Sequence, residues 1–298
     1  MTASQAIPAT AAAGAGVPSR VPLWRRILAS RSGLVGFSLT LIVLLAALMA
    51  SLHLTPFDPI AQHPVDRLQG PSTTYLMGTD QFGRDIFSRV ASGAGTSLVV
   101  AFTAVALAAA IGTTMGVAAG YFGSPVSPPV LGVANVLFAF PPLLLALALA
   151  SALTRTWFTV ALAIAVVYVP IFIRVSRGPV LALRDSDFIR ASRVLGYSTR
   201  RILFRHVLPN ISAVIIVQFM LAMSWAVLTE ASLSFLGLGT PPPAPALGSM
   251  VLDAKSLVAS AWWTMAGPGL MVIVFVVGLN LLGDGLRDAL DPRFSPER

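Results

Sequence analysis

From Val90 to Thr154 the chain runs sixty-five residues without an Asp, Glu, Lys or Arg. At ~1.5 Å per residue one helix of that length would cross about three hydrocarbon layers of ~30 Å, so the segment must fold back. The stretch "GYFGSPVSPP", Gly120 to Pro129, is where it can turn, because its glycines and prolines cannot continue a helix. A mean hydropathy of +0.81 and 56% hydrophobic residues place the whole chain in the membrane class.

Six spans follow, expected near Leu34–Leu52, Leu98–Gly120, Val130–Leu153, Trp157–Ile173, Ile211–Thr229 and Trp262–Leu282. The first has a basic start, with Arg25, Arg26 and Arg31, as a signal peptide would. Its apolar stretch is too long for one, and no small-residue cleavage pattern lies between Leu41 and Leu52, so it reads as a retained helix. Residues 1–20 are rich in Ala, Pro and Gly and read as a disordered tail. The expected organisation is a basic cytoplasmic segment 1–32, a first helix 33–53, an extracytoplasmic connection 54–93, a five-helix core 94–286, and a tail 287–298.

Six spans put both termini on one side, and the arginines say which. With both ends inside, the inner segments hold fifteen basic residues and the outer ones five: Arg67, Arg84, Arg89, Arg155 and Lys255. The positive-inside bias therefore predicts cytoplasmic termini. The net charge of +8 sits in these loops and forms no nucleic-acid footprint.

The absence of cysteine excludes disulfides and thiol catalysis. Three histidines, His53, His63 and His206, give no zinc cluster, and neither HExxH nor GxSxG occurs. The one lysine, Lys255, lies in no GxxxxGK[ST] loop, so ATP chemistry must come from a partner. A proton-driven secondary transporter, the main alternative, wants ionisable groups near the membrane centre. Glu230, near the outer end of the fifth span, is the only intramembrane candidate.

"DFIRASRVLGYSTRRILFRHVLPN", Asp187 to Asn210, concentrates five arginines and His206 between two apolar runs. Ser186 or Asp187 can cap one short helix and Gly196 can end it; Ser198 can cap a second, stopped by Pro209. Such a pair lies either on anionic headgroups as an amphipathic element or against a docked protein. The small residues Ala191 and Ser192 favour close approach of another surface.

"RASRVLG" followed by "HVLPN" resembles the coupling loop of bacterial ABC importer permeases. "MGTDQFGRDIFSRVASGAGTSL", "EASLSFLGLGTPPPAPALGSM" and "NLLGDGLRDALDPR" are similar to the C-type permease of the dipeptide/oligopeptide/nickel family. The resemblance implies an all-α type I importer permease with coupling helices between helices 4 and 5, within 186–209. It implies that Arg190, Ala191, Ser192, Arg193, Leu195, Gly196, Leu208 and Pro209 meet the ATPase. Arg190 stands where the family has Glu, and Ser192 where it has a second Ala. The implied partners are a homologous B-type permease, two cytoplasmic ATPases that hold ATP and Mg, and an extracytoplasmic binding protein; this chain itself would bind no cofactor. Peptides are the expected cargo, with nickel chelates and glutathione as alternatives.

The same motifs have bare physical readings. Asp80, Arg84 and Asp85 can form a charged corner before the second span or touch a ligand. "GLGTPPPAP" must be a rigid outer loop that meets a binding protein or caps an entrance. Asp284, Arg287, Asp288 and Asp291 share one helix face, either solvated or against an ATPase. Pro170 and the Pro141–Pro142 pair are candidate hinges.

Overall fold

The computed structural model describes residues 23–290. The tail expected over residues 1–20, and Asp291 of the last charged face, lie outside the described residues. The architecture is all-helical. α1 (Leu23–Ala29) and α2 (Arg31–Ser51) are followed by an irregular outer segment and then by the long α3 (Ile86–Phe122). α4 (Ser127–Phe138), α5 (Pro142–Ala152) and α6 (Trp157–Arg184) come next, then α7 (Asp187–Val194), α8 (Thr199–Ile202) and α9 (Leu208–Phe235). α10 (Leu247–Ala254) and α11 (Trp263–Leu290) are the last helices among the described residues.

Among the described residues five helices are long and apolar enough to cross a membrane, and the bent pair α4 and α5 makes a sixth span if counted as one. The bend is 91°. Its cause is the sequence "FPP": Phe140 and Pro141 each precede a proline, which drives both out of the α region, and Pro141 sits at φ −58°, ψ 128°. The third span expected as one helix over Val130–Leu153 is therefore two half-helices.

Apolar windows also misjudge where helices begin and end. α3 starts at Ile86, a dozen residues before Leu98, because the Asp85 carboxylate accepts from the Ser88 amide at 2.8 Å and caps the helix. α6 runs on to Arg184, well past Ile173 and through Pro170 and Pro179. At its start Thr156 and Thr159 form a reciprocal capping box.

In lipid there is no hydrophobic drive between helices, so packing and backbone proximity must hold the bundle. The tightest seam joins α3 to α6. Gly112, Gly116 and Gly120 line one face of α3 at four-residue spacing; a methyl group there would meet the Val169 carbonyl, the Ser176 hydroxyl and the Val180 side chain respectively. Around this seam the core is built from small and branched residues: Val100, Ala101, Ala104, Val105 and Ala108 on α3, and Ala161, Ile164, Phe172 and Ile173 on α6. Ala222 and Ala226 of α9 close it from the third side. A second close contact ties α2 to α11, where Gly36 lies against the backbone of Leu281 and Leu282.

Gly116→Leu should force α3 off α6 and cost on the order of 3 kcal/mol. Gly132→Leu on α4, where nothing lies within 4 Å of the added carbon, is the control. Thermal unfolding of the purified chain in detergent reads the difference, and equal behaviour of the two variants would refute the seam's importance.

Candidate coupling loop and translocation face

The Arg-rich segment folds as two short helices about a glycine corner. α7 ends in a paired-hydrogen-bond cap: the Gly196 amide donates to the Arg193 carbonyl at 3.0 Å and the Tyr197 amide to the Ser192 carbonyl at 3.1 Å. Gly196 holds φ +74°, and nothing lies within 4 Å of where its side chain would be. Backbone conformation, not space, is what demands glycine. Ser198 then caps α8, accepting from the Arg201 amide at 3.4 Å.

Pro209 does not stop this second helix. Leu203–Val207 form a π turn, and the helix passes through it into α9 without a break, from Thr199 to Phe235. The wider turn reorganises the backbone just before the position at which proline lacks an N–H, so the chain continues instead of breaking. The loop's second helix and the fifth span are one rod.

The inward face of the loop is a small core of Ile189, Ile202, Val207 and Ile211, joined by Val117 of α3 and Val180 of α6. Ser192 belongs to this inward side: it is 7% exposed and its hydroxyl donates to the Phe188 carbonyl at 2.8 Å. It therefore offers no outer surface for a close approach, in contrast to the expectation that paired it with Ala191. Ala191, Arg190, Arg193, Leu195 and Pro209 are exposed, and Leu208 is half-buried against the loop's core. The loop also exposes apolar residues: Phe188 and Leu195, which recur at helical spacing, and Val194 at 88% exposure and Phe204, which spacing did not single out. Arg193 lies over the Tyr121 ring and Arg201 over the Tyr197 ring, which fixes two of the five arginines in place.

At the other end of the bundle, Asp80, Arg84 and Asp85 are all buried and form the corner expected of them. Arg84 Nε donates to Asp80 at 2.6 Å, Arg89 Nε lies 3.6 Å from the same carboxylate, and Asp85 caps α3. Trp263 of α11 fastens the corner by donating to the Thr79 carbonyl at 3.2 Å. Nearby, Tyr75 donates to Asp66 at 2.9 Å; burial pushes the phenol's pKa up and the Asp66 carboxylate adds to it, so it stays a donor.

Glu230 is fully buried on α9 and has no cationic partner among the described residues. Its two oxygens accept from Ser97 of α3 at 2.6 Å and from Ser234 at 2.7 Å. Its bond to Ser97 straps α9 to α3.

Between α4–α5, α6 and α9 lies a cavity of about 570 Å³. Its wall is apolar apart from Gln218, Ser232 and the pair Tyr168 and Thr229, whose hydroxyls lie 3.2 Å apart. Gln218 was visible in the sequence as a lone amide in an apolar run; its direction was not. Pro170 is buried within α6 on the side of the core, and Pro141–Pro142 stand at the bend beside the cavity. Among the described residues no three His, Asp or Glu side chains are grouped to hold a metal.

A bundle of apolar helices with a half-open cavity, a rigid outer corner and an exposed loop built onto two spans is the form of a membrane transport subunit. The family described as the binding-protein-dependent transport system inner membrane component matches residues 112–296, more than half of the chain, and the protein belongs to it. The chain is 42% identical over 270 residues to the dipeptide transport system permease protein DppC of Alkalihalophilus pseudofirmus, covering 91% of this chain and 88% of that one. It is 39% identical to the glutathione transport system permease protein GsiD of Pectobacterium atrosepticum, covering 91% and 90%. A solved structure of the MetNI methionine ABC transporter, in inward-facing conformations, has the same fold, with a TM-score of 0.56 at 16% identity over 68% of this chain and 97% of that one.

Removing the Glu230 carboxylate tests the strap. Glu230→Ala leaves two buried hydroxyls without acceptors and should cost roughly 2–3 kcal/mol, with Glu230→Gln costing about half as much. Thermal unfolding in detergent measures both, and an unaffected Glu230→Ala variant would show that α3 and α9 are held by other contacts.

Proposed function

We propose that this chain is one of two permease subunits of an ATP-driven peptide importer. It contributes half of the pathway through the membrane and does no chemistry itself. A homologous B-type permease supplies the other half, an extracytoplasmic binding protein delivers the peptide, and two cytoplasmic ATPases hold ATP and Mg. Peptide cargo rests on the relatives, whose names give dipeptides and glutathione, itself a tripeptide. Cytoplasmic termini rest on the fifteen-to-five distribution of basic residues.

The observation that carries the coupling assignment is the exposed apolar face Phe188, Val194, Leu195 and Phe204 on a loop whose other side is a packed core. A surface of this kind has a partner. Arg190, Arg200 and Arg205 are exposed in the same loop. Docked to an ATPase, the loop moves with it. α8 is one rod with α9, and α7 hangs from the end of α6, so the two walls of the 570 Å³ cavity receive that movement directly. Directionality then requires that ATP-bound and free states differ in their affinity for the loop's two positions.

Co-purification from membranes in mild detergent, followed by mass spectrometry, should recover an ATPase pair and a second permease with the natural chain. Val194→Glu combined with Leu195→Glu should lose the ATPase while keeping the second permease; retention of the ATPase would sink the assignment. Gly196→Val should lower peptide uptake ~10-fold or more with ATP hydrolysis persisting, whereas Gly196→Asn, which tolerates positive φ, should retain most uptake. Normal uptake by the valine variant would place the coupling elsewhere.

A further inference from the structure

Where the outer end of α3, the loop before α6 and the loop after α9 converge lies a cavity of about 260 Å³. Arg84, Arg89 and Arg155 line it together with Thr240 and Asp253, although the chain has only five basic residues on its outer segments. Two of the three guanidiniums are buried, Arg84 at 8% and Arg89 at 4% exposure. Both are held by the single Asp80 carboxylate, and Arg89 also donates to the Pro59 carbonyl at 2.9 Å. Arg155, at the rim, has no hydrogen-bond or ion-pair partner among the described residues. Of the carboxylates near these cations only Asp253 lines the cavity, while Asp80 is engaged by Arg84 and Arg89.

The opposite wall is built to stay still and to come close. Pro241, Pro242 and Pro243 form it, and Gly239 passes so near Ser234 that no side chain would fit. The Thr240 hydroxyl, on the same wall, is shielded from solvent and has no hydrogen-bond partner among the described residues. An unpartnered buried hydroxyl is a standing cost that a ligand oxygen removes.

We propose that this cavity binds a carboxylate, namely the α-carboxylate of the peptide as it leaves the binding protein; this step rests on the peptide-importer reading above. With Arg84 and Arg89 sharing Asp80, Arg155 is the cation left for a monoanion. The planar fork of arginine matches the two oxygens of a carboxylate. The α-carboxylate is also an anion that peptides carry whatever their side chains, so a site for it serves a transporter of varied sequences. Arg155 is the rim residue that closes on the bound group, and Thr240 donates to it.

The test uses the assembled transporter with its binding protein in proteoliposomes and radiolabelled alanyl-alanine as the probe. Arg155→Gln should lower the saturated uptake rate ~10-fold, Arg155→Lys, which keeps the charge but not the fork, should recover only part of it, and Thr240→Val should lower it ~3-fold. Affinity for the loaded binding protein, measured in parallel by surface plasmon resonance, should be unchanged. Undiminished uptake by Arg155→Gln would overturn the proposal. So would a matching loss of binding-protein affinity, which would assign the carboxylate to that protein's surface. If the natural complex fails to take up the peptide at all, the importer reading falls and the proposal with it. That result is seen without any variant and so is distinct from failure of the carboxylate site alone.

Discussion

Everything in this bundle depends on how near α3 can come to α6. Two apolar helices in lipid gain nothing from hiding their side chains from water, so contact has to come from van der Waals surface and backbone proximity. Three glycines in register on α3 provide that proximity, and the alanines around them extend it. With this pair fixed, α9 finds a third wall of small residues, and Ser97 is brought to the place where it can donate to Glu230. The same seam continues past Gly120 to Val180, where the coupling loop's inner core begins. Loop and bundle thus share one frame.

Much of this was legible in the chain before its fold was known. The uncharged run forced a return within it, and the turn at Gly123 falls inside the glycine- and proline-rich stretch. The corner at Gly196 and the cap at Ser198 stand where their residues require. The fold class and the family followed from long motifs whose order along the chain matched.

What was not legible has physical causes. Helix ends were misjudged where polar residues are buried: Ser88, Arg89 and Ser97 look like an aqueous connection but sit inside the bundle, their polarity answered by Asp85, Asp80 and Glu230. Pro209 reads as a stop because spacing cannot reveal that a π turn absorbs it. Ser192 and Ala191 are adjacent and equally small, yet one faces inward and the other outward, since neighbours on a helix point about 100° apart. Which face of an all-apolar helix borders a cavity leaves no trace in hydrophobic periodicity, so Tyr168 and Trp225 emerged only with the fold.

The length of α3 sets a clearance. Its 37 residues measure about 55 Å, some 25 Å more than the hydrocarbon it has to cross. Part of the excess is the segment that carries Val117 to Tyr121, against which the last turns of α6 and the inner face of the loop are packed. The loop is therefore mounted on the ends of two packed helices. Any displacement of the loop reaches the bundle through those packed helix ends, with no flexible tether to take up the slack.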